Sequence, residues 1–453
     1  MNDELRVKNN ELGGKMKYRY KTDEEMKDSG VEWIGEIPKE WSITKLKYIS
    51  CCEDGKRVPL SSDERGKMQG DIPYWGANSI IDYVNDYLID YEVVLLGEDG
   101  APFFDKTKPV AFYSNGKIWP NNHIHILKSQ KDMDSRFLVN SLNIVDYKNY
   151  IKGSTRDKLT QADMKEIIIQ IPKLKKEQIK ISKFLNEKTA QFDSIISKKE
   201  ALIERLEQAK KSLISEVVTG KVKVVKTNDG YELVERKKDE MKDSGVEWLG
   251  DIPIEWDISK LKYIGESITG LTYSPKDIVD ENKGILVLRS SNVQNGKIVF
   301  EDNVYVDMNI PDKLITKIGD IIICSRNGSR ALIGKNACIR EEQQGMSFGA
   351  FMTIFRSRYF EYLNFVFNSE IFKAQSGSFL TSTINQLTIS NLNSFIIPLP
   401  NFKEQNIVVM YLREKISEYD KILDNIKMQI EKLKEAKQSL ISEAVTGKIE
   451  ILD

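Results

Sequence analysis

Cysteine and histidine are scarce in this chain: 453 residues carry four Cys and two His. Cys51 and Cys52 are adjacent, Cys324 and Cys338 lie far from them, and no CxxC pair occurs. That spacing excludes a zinc ribbon and offers no disulfide framework, so a reducing, cytoplasmic setting is expected. His123 and His125 would share one side of a strand, as two metal ligands might. With no third His, a packed pair is the simpler reading, and no metal is expected. Long apolar runs are missing as well. Stretches such as Ile321–Cys324 fall far short of the roughly 18 residues that span a bilayer. The polar opening MNDELRVKNNELGG has no apolar segment, so neither a membrane span nor a secretory signal is expected. No phosphate loop of the GxxxxGKS/T type occurs, no GxGxxG follows a strand, and GxSxG is absent. GEDGA (97–101) has the wrong spacing, and Glu98 and Asp99 read as turn residues. These absences point to a binding and scaffolding protein rather than a catalyst.

An excess of one charge is the last thing missing, with 67 Lys plus Arg against 68 Asp plus Glu. That balance excludes a uniformly basic nucleic-acid binder, though not one whose basic groups are gathered locally. What is present is enough apolar content, 40% of residues, to build cores in two to four domains.

The organising feature is a duplication. Residues 26–49 read MKDSGVEWIGEIPKEWSITKLKYI, and residues 241–264 read MKDSGVEWLGDIPIEWDISKLKYI; only five of the 24 positions differ. A second repeat closes each half: KEQ, FLNEK and AKKSLISEVVTGK within 176–221, then KEQ, YLREK and AKQSLISEAVTGK within 403–448. Between these flanks almost nothing aligns except GSTRDKLT (153–160) against STINQLT (382–388). Constant flanks do one job twice, while divergent inserts do two related jobs. Trp33 and Trp41, matched by Trp248 and Trp256, belong to the flanks and so have structural or partner-facing roles.

Both inserts are rich in short apolar runs broken by turn residues. YEVVLLGEDGAP (91–102), PVAFY (109–113) and HIHIL (123–127) predict strands in the first, with turns at Asp99-Gly100 and Asn115-Gly116. GILVLRSSN (284–292), NGKIVF (295–300) and GDIIICSRNG (319–328) do so in the second, with a helix over 360–374. Each insert is expected to be a strand-rich α+β domain.

The closing repeats are free of Pro and Gly from 177 to 218 and predict long helices. Apolar residues Ile195, Leu202, Leu206, Ala209 and Leu213 form a heptad-like seam, matched by Ile422, Ile426, Leu433, Ala436 and Leu440. Lys199 and Gln429 interrupt it. Pairing the two helices would bury both seams, and a two-fold relation between the halves would make the coiled coil antiparallel. Gly220 and Gly447 are placed to end the helices. About 40 helical residues rise roughly 60 Å, against roughly 34–36 Å per duplex turn, so such a strut could be a dimerisation element or a ruler between two readers.

Taken together, the repeated SGVEWIGEIPKEW segment, the KEQ-to-SLISEVVTGK helix and the two divergent inserts resemble the specificity subunit of type I restriction–modification enzymes. The resemblance runs from about residue 26 to the C-terminus. IPYWGANSIIDYV with LLGEDGA and NNHIHIL is similar to one kind of target-recognition domain, and GDIIICSRNG to another. It implies a tail at 1–25, a recognition domain at 26–172, a first spacer helix at 173–222 and a linker at 223–240. A second recognition domain at 241–400 and a second spacer helix with tail at 401–453 follow. It further implies that each insert reads half of a split, asymmetric site in double-stranded DNA and that the helices set the gap. Two modification subunits bringing S-adenosylmethionine, and motor-nuclease restriction subunits using ATP and Mg²⁺, would be the partners. No cofactor is expected in this chain.

Base edges are read by Arg, Lys, Asn, Gln, Ser and Thr, and phosphates are held by Lys, Arg and backbone N–H groups. On that chemistry the first insert offers Lys56, Arg57, Tyr74, Asn78, Asn121, Asn122, His123, Lys152, Ser154, Thr155 and Arg156. The second offers Arg289, Ser291, Asn292, Arg326, Asn327, Arg330, Ser382, Thr383 and Asn385. Ile384 stands where the first copy has Arg156. The rival reading is a non-catalytic coiled-coil adaptor that recruits protein partners through its two domains.

Overall fold

The computed structural model describes residues 17–151, 157–378 and 385–452. The chain forms two compact units, one of residues 1–200 with 426–453 and the other of 201–425. Two 44-residue helices, α1 (Lys175–Val218) and α2 (Phe402–Val445), therefore each give one end to each unit.

In the first unit, the main strands of the insert are β1 (Ser50–Cys52), β2 (Gln69–Trp75), β3 (Ile80–Val84), β4 (Ile89–Asp90), β5 (Val93–Gly97), β6 (Ala111–Ser114), β7 (Lys117–Pro120) and β8 (Ile124–Ser129). They make two four-stranded sheets, ordered β6-β5-β8-β1 and β3-β2-β7-β4. The second unit has β9 (Glu266–Thr269), β10 (Ile278–Val279), β11 (Ile285–Leu288), β12 (Tyr305–Val306), β13 (Ile321–Cys324), β14 (Asn336–Cys338), β15 (Ser347–Phe348) and β16 (Met352–Arg356). Its sheets run β14-β13-β16-β9 and β10-β12-β11-β15.

The correspondence is close. Sheet β6-β5-β8-β1 has the order of β14-β13-β16-β9, every pair antiparallel. In the other sheet β2 pairs with β3 antiparallel and β7 parallel, just as β11 pairs with β12 and β15. Two inserts with almost no alignable sequence thus share one sheet and three strands of the other, and differ in the fourth, since β4 adds beside β7 whereas β10 adds beside β12. Hydrophobic pattern and turn placement specify such a sheet without fixing any single side chain. The helix expected at 360–374 is instead two, Phe360–Phe367 and Glu370–Ser378. At the break the Asn368 amide donates to Asn336 and the Ser369 hydroxyl to the Val366 carbonyl, bonds that compete with helix continuation.

The duplicated flanks close the units. Each long helix ends in a Schellman motif: Gly220 and Lys221 donate to Val217 and Glu216, and Gly447 and Lys448 to Ala444 and Glu443. Both glycines are left-handed, at φ +73° and +74°. A Cβ on Gly220 would lie 2.5 Å from the Pro253 ring, and one on Gly447 2.5 Å from the Pro38 ring. So the end of α2 is seated on the first flank and the end of α1 on the second. Trp41 and Trp256, 2% and 1% exposed, are the core anchors beside those prolines. Trp33 is half-buried and Trp248 is exposed.

The helices pair antiparallel in both units. In the first, Lys437 donates to Asp193 at 2.6 Å and Lys199 to Gln429 at 2.6 Å, so the two polar interruptions of the seam meet. In the second, Lys210 pairs with Asp420. The seam is in part the expected one, since Ile426 and Leu440 are buried, and in part displaced from it. Leu202, Ala209 and Ile422 are exposed, whereas Ile196, Leu423, Ile426, Ile430 and Leu440 are buried. Ile195, Leu206, Leu213, Leu433 and Ala436 are half-buried. The reason is local: Ile195-Ile196, Leu202-Ile203 and Ile422-Leu423 are adjacent apolar pairs. A seven-residue pattern can be drawn through either member of such a pair. Among the described residues no helix is long and apolar enough to cross a membrane.

Candidate nucleic-acid interface

Four chain segments converge in the first insert. The Asn121 N–H donates to the Trp75 carbonyl at 3.0 Å, tying the start of the 121–123 turn to the end of β2. The Glu98 N–H donates to the His123 carbonyl at 2.9 Å and the Leu159 N–H to the Glu98 carbonyl at 2.8 Å. Asp99 forms an antiparallel bridge with Lys158. The loops after β2 and β5, the turn before β8 and the segment ahead of α1 therefore make one surface.

The second insert repeats this bond for bond. Gly349 donates to the Leu288 carbonyl at 3.0 Å, Ser325 to Phe351 at 3.0 Å and Leu387 to Ser325 at 2.7 Å, while Arg326 bridges Gln386. The short aligned motif before each long helix now has a cause. Leu159 and Leu387, 0% and 2% exposed, plug the core. Thr160 and Thr388 cap the short helices Gln161–Lys165 and Ile389–Ser394, their hydroxyls accepting from the Asp163 and Asn391 N–H groups.

The two surfaces are held by different chemistry. Behind the first lies a charged network. His125, 1% exposed, places Nδ1 2.7 Å from Asp54 and Nε2 2.9 Å from the Leu159 carbonyl. Arg57 bonds Glu98 and donates to the Ile124 carbonyl at 3.2 Å, and Lys158 lies 3.3 Å from Glu98. Burial pushes the Asp54 carboxyl up, but the His125 hydrogen bond and charge, the Ile126 N–H and Arg57 outweigh it and hold it at about 2. Asp54, Glu98 and His125 offer ligand atoms within 4.8 Å of one another. Arg57 and Lys158 already neutralise those carboxylates, so the group is a charge-balanced brace for the loops. The second insert uses amide links in place of ion pairs, Asn327 to the Ser290 hydroxyl at 3.1 Å and Asn385 to the Gly328 carbonyl at 3.1 Å, with the Lys335 ammonium donating to the Ser290 carbonyl.

Several sequence candidates belong to this framework rather than to its face. Tyr74 is 1% exposed and its hydroxyl accepts from the Leu60 N–H at 2.9 Å. Asn292 is fully buried, donating to the Val299 and Glu301 carbonyls. Asn121, 6% exposed, accepts the His123 N–H. Arg57 is turned inward to Glu98, and Arg289 is held by Asp302 at 2.6 Å. Amide and guanidinium groups are favoured equally for loop bracing and for base contact, which is why sequence alone merged the two roles. Solvent-facing candidates are Lys56, Asn78, Asn122, Arg326 and Arg330, with His123, Ser291, Asn327 and Asn385 half-buried. Lys56 salt-bridges Glu53 at 3.0 Å, at the edge of this group. Lys152, Ser154, Thr155, Arg156, Ser382 and Thr383 lie outside the described residues. Sequence reasoning missed Asp54 and Lys158, read His125 as a packed histidine, as its 1% exposure bears out, without finding its partners, and set Glu98 aside as a turn residue. The signal for Glu98 was its place directly after a wholly apolar strand, where an acid needs a partner.

The family model described as the type I restriction modification DNA specificity domain matches the chain twice, over residues 38–208 and 253–435. The MjaVIII specificity subunit of Methanocaldococcus jannaschii is 24% identical over 438 residues, covering 92% of this chain and 94% of that protein. A type I specificity subunit from Haemophilus influenzae is 35% identical over 151 residues, which span 33% of this chain and 37% of that relative. A chain from a solved type I restriction–modification system has the same fold, with a TM-score of 0.65 at 14% identity over 91% of this chain and 99% of its own. Duplicated flanks, paired helices and two equivalent loop surfaces thus coincide with a double family match, and the chain belongs to the type I restriction–modification specificity family, whose task is DNA sequence recognition.

Proposed function

We propose that each insert reads one half of a split, asymmetric duplex site and that the helix pair fixes the unread gap between the halves. The observation that carries this is the pair of loop surfaces, built by the same backbone hydrogen bonds yet presenting different side chains. One platform with two sets of groups recognises two different half-sequences, whereas identical readers would recognise a palindrome. A helix of 44 residues rises about 66 Å, the scale of one to two duplex turns. Phosphate contacts from Lys56 and Lys158 would position the first insert, and exposed Asn78 and Asn122 with half-buried His123 would face base edges.

Partners do the chemistry in this reading. The chain makes and breaks no bonds; modification subunits supply S-adenosylmethionine, and restriction subunits use ATP and Mg²⁺. Two copies of the modification subunit are supported by the stretch KLKYI, which occurs unchanged at 45–49 and 260–264. Tyr48 and Tyr263, 62% and 72% exposed, each lie against a neighbouring lysine, Lys47 or Lys262, within about 5 Å. The setting is the cytoplasm, where the exposed Cys51 thiol stays reduced.

The test is to assemble the chain with its modification subunits, expose genomic DNA to the complex and S-adenosylmethionine, and sequence the modified positions. A two-part, non-palindromic motif with a fixed gap is expected. A continuous motif, a palindrome or no motif would reject the reading. A further check is salt: binding to the motif should weaken steeply as salt rises.

A further inference from the structure

The bond-for-bond match between the inserts equates individual positions that sequence alignment could not. Glu98 corresponds to Ser325 because each donates to the residue before its central strand, His123 or Phe351, and each accepts from Leu159 or Leu387. It follows that Asp99 stands where Arg326 stands, and His123 where Phe351 stands. The bridges to Lys158 and Gln386 fix the same register independently.

At these two positions the side chains touch in both inserts, with unlike chemistry. His123 Nδ1 lies 3.5 Å from an Asp99 carboxylate oxygen, and the ring is 41% exposed. The Arg326 guanidinium lies 5.1 Å from the centre of the Phe351 ring, which is 57% exposed. Residues beneath the pair keep their character: Leu96 and Ile323 are fully buried, as are Leu159 and Leu387. Packing gives no reason for an exposed phenyl ring at the lip of a loop. A planar cation held flat on an aromatic face, by contrast, is fixed for directional hydrogen bonding.

Resting on the half-site reading above, we infer that positions 99/123 and 326/351 are the same specificity-determining pair in the two inserts, and that Arg326 reads a guanine of its half-site through O6 and N7. The guanidinium fork matches those two major-groove acceptors, and Phe351 steadies its plane. In the first insert Asp99 holds the Nδ1 side of His123, so Nε2 is the ring atom offered to a base. A single contact of that kind discriminates less than a fork does. The pair thus makes one half-site strict at this position and the other more permissive.

The experiment uses the assembled complex and duplexes carrying each of the four base pairs at every position of both half-sites, with binding and methylation rate as readouts. For Arg326→Ala, guanine preference should fall by roughly 5- to 150-fold at one position of one half-site, with every other position unchanged. Arg326→Gln should move the preference at that position to adenine, whose N6 and N7 suit an amide. His123→Ala should relax one position in the other half-site, by less. Equal weakening on all sequences, as from loss of a phosphate contact, would overturn the inference, as would relaxation in the same half-site by both substitutions. In either of those cases the unsubstituted complex would still prefer its split motif; failure of the half-site reading itself would appear instead as no such preference in the unsubstituted complex.

Discussion

Gly220 and Gly447 offer a perturbation that can be made twice in one molecule. Replacing either by Ala puts an L side chain at φ near +73°, a left-handed conformation that costs about 1–2 kcal/mol. The new Cβ would also sit 2.5 Å from a proline ring, Pro253 or Pro38, with Trp256 or Trp41 just beyond. Neither ring can swing aside, and overpacking of that kind costs about 1–3 kcal/mol. The two terms add to about 2–5 kcal/mol for either substitution, and they act where a flank is seated on a helix end. Hydrogen exchange followed by mass spectrometry reads such local loss. Gly220→Ala should speed exchange in Asp251–Pro253 and the end of α1 by roughly 30-fold to several thousand-fold, leaving Glu36–Pro38 protected. Gly447→Ala should do the reverse. Faster exchange in both flanks from one substitution, or in neither, would refute the claim that each flank exists to seat one helix end.

Asp54 contributes stability that depends on acid. Its carboxyl is held at about 2 against an ordinary 3.8, so the contribution, about 2 kcal/mol, is complete above the ordinary value and drains away as pH falls from about 4 toward 2. Thermal melts of Asp54→Asn across that range should show a flatter acid limb than the parent chain; an identical limb would discount the brace. Truncating the buried Leu423 to Ala should cost about 2–5 kcal/mol in urea unfolding, whereas Ile422→Ala, at a 48% exposed site, should stay within about 0.5 kcal/mol. Equal losses would restore the seam as first drawn from the heptads. Inserting seven residues in register into both α1 and α2 adds about 10 Å of rise and should lengthen the gap in the mapped motif by about three base pairs. A motif with its original gap would rule out the ruler.

Repeats made the plan of the chain legible before any coordinates. The flanks, the two long helices, their glycine ends and the strand-rich inserts all follow from residues that occur twice or alternate with a clear period. In the helix seam Ile426 and Leu440 were legible outright, and elsewhere the seam was legible only to within one residue. Ile195-Ile196 and Ile422-Leu423 satisfy either register, and tertiary packing decides between them. The shared topology of the inserts was hidden because it is kept by the backbone. Leu159 and Leu387 are its main side-chain trace, and VVLLGED (93–99) against DIIICSR (320–326) is hardly an alignment. Several of the loops expected to contact DNA converge in the structure, but single residues within them could not be sorted from sequence. Asn292 carries the same amide as Asn78, and Arg57 the same guanidinium as Arg326, and only burial and ion pairing separate those that brace a loop from those that face out. Glu98 shows the converse failure. An acid beside a glycine reads as a turn until Arg57 and Lys158 are seen on its oxygens.

The central claim is that two independent readers share one frame, and domain exchange tests it most directly. Residues 42–172 are replaced by the corresponding insert of another family member, the complex is reassembled, and its modified sites are mapped by sequencing. One half of the motif should change while the other half and the gap between them stay as they were. A motif altered in both halves, or left wholly unchanged, would contradict the account.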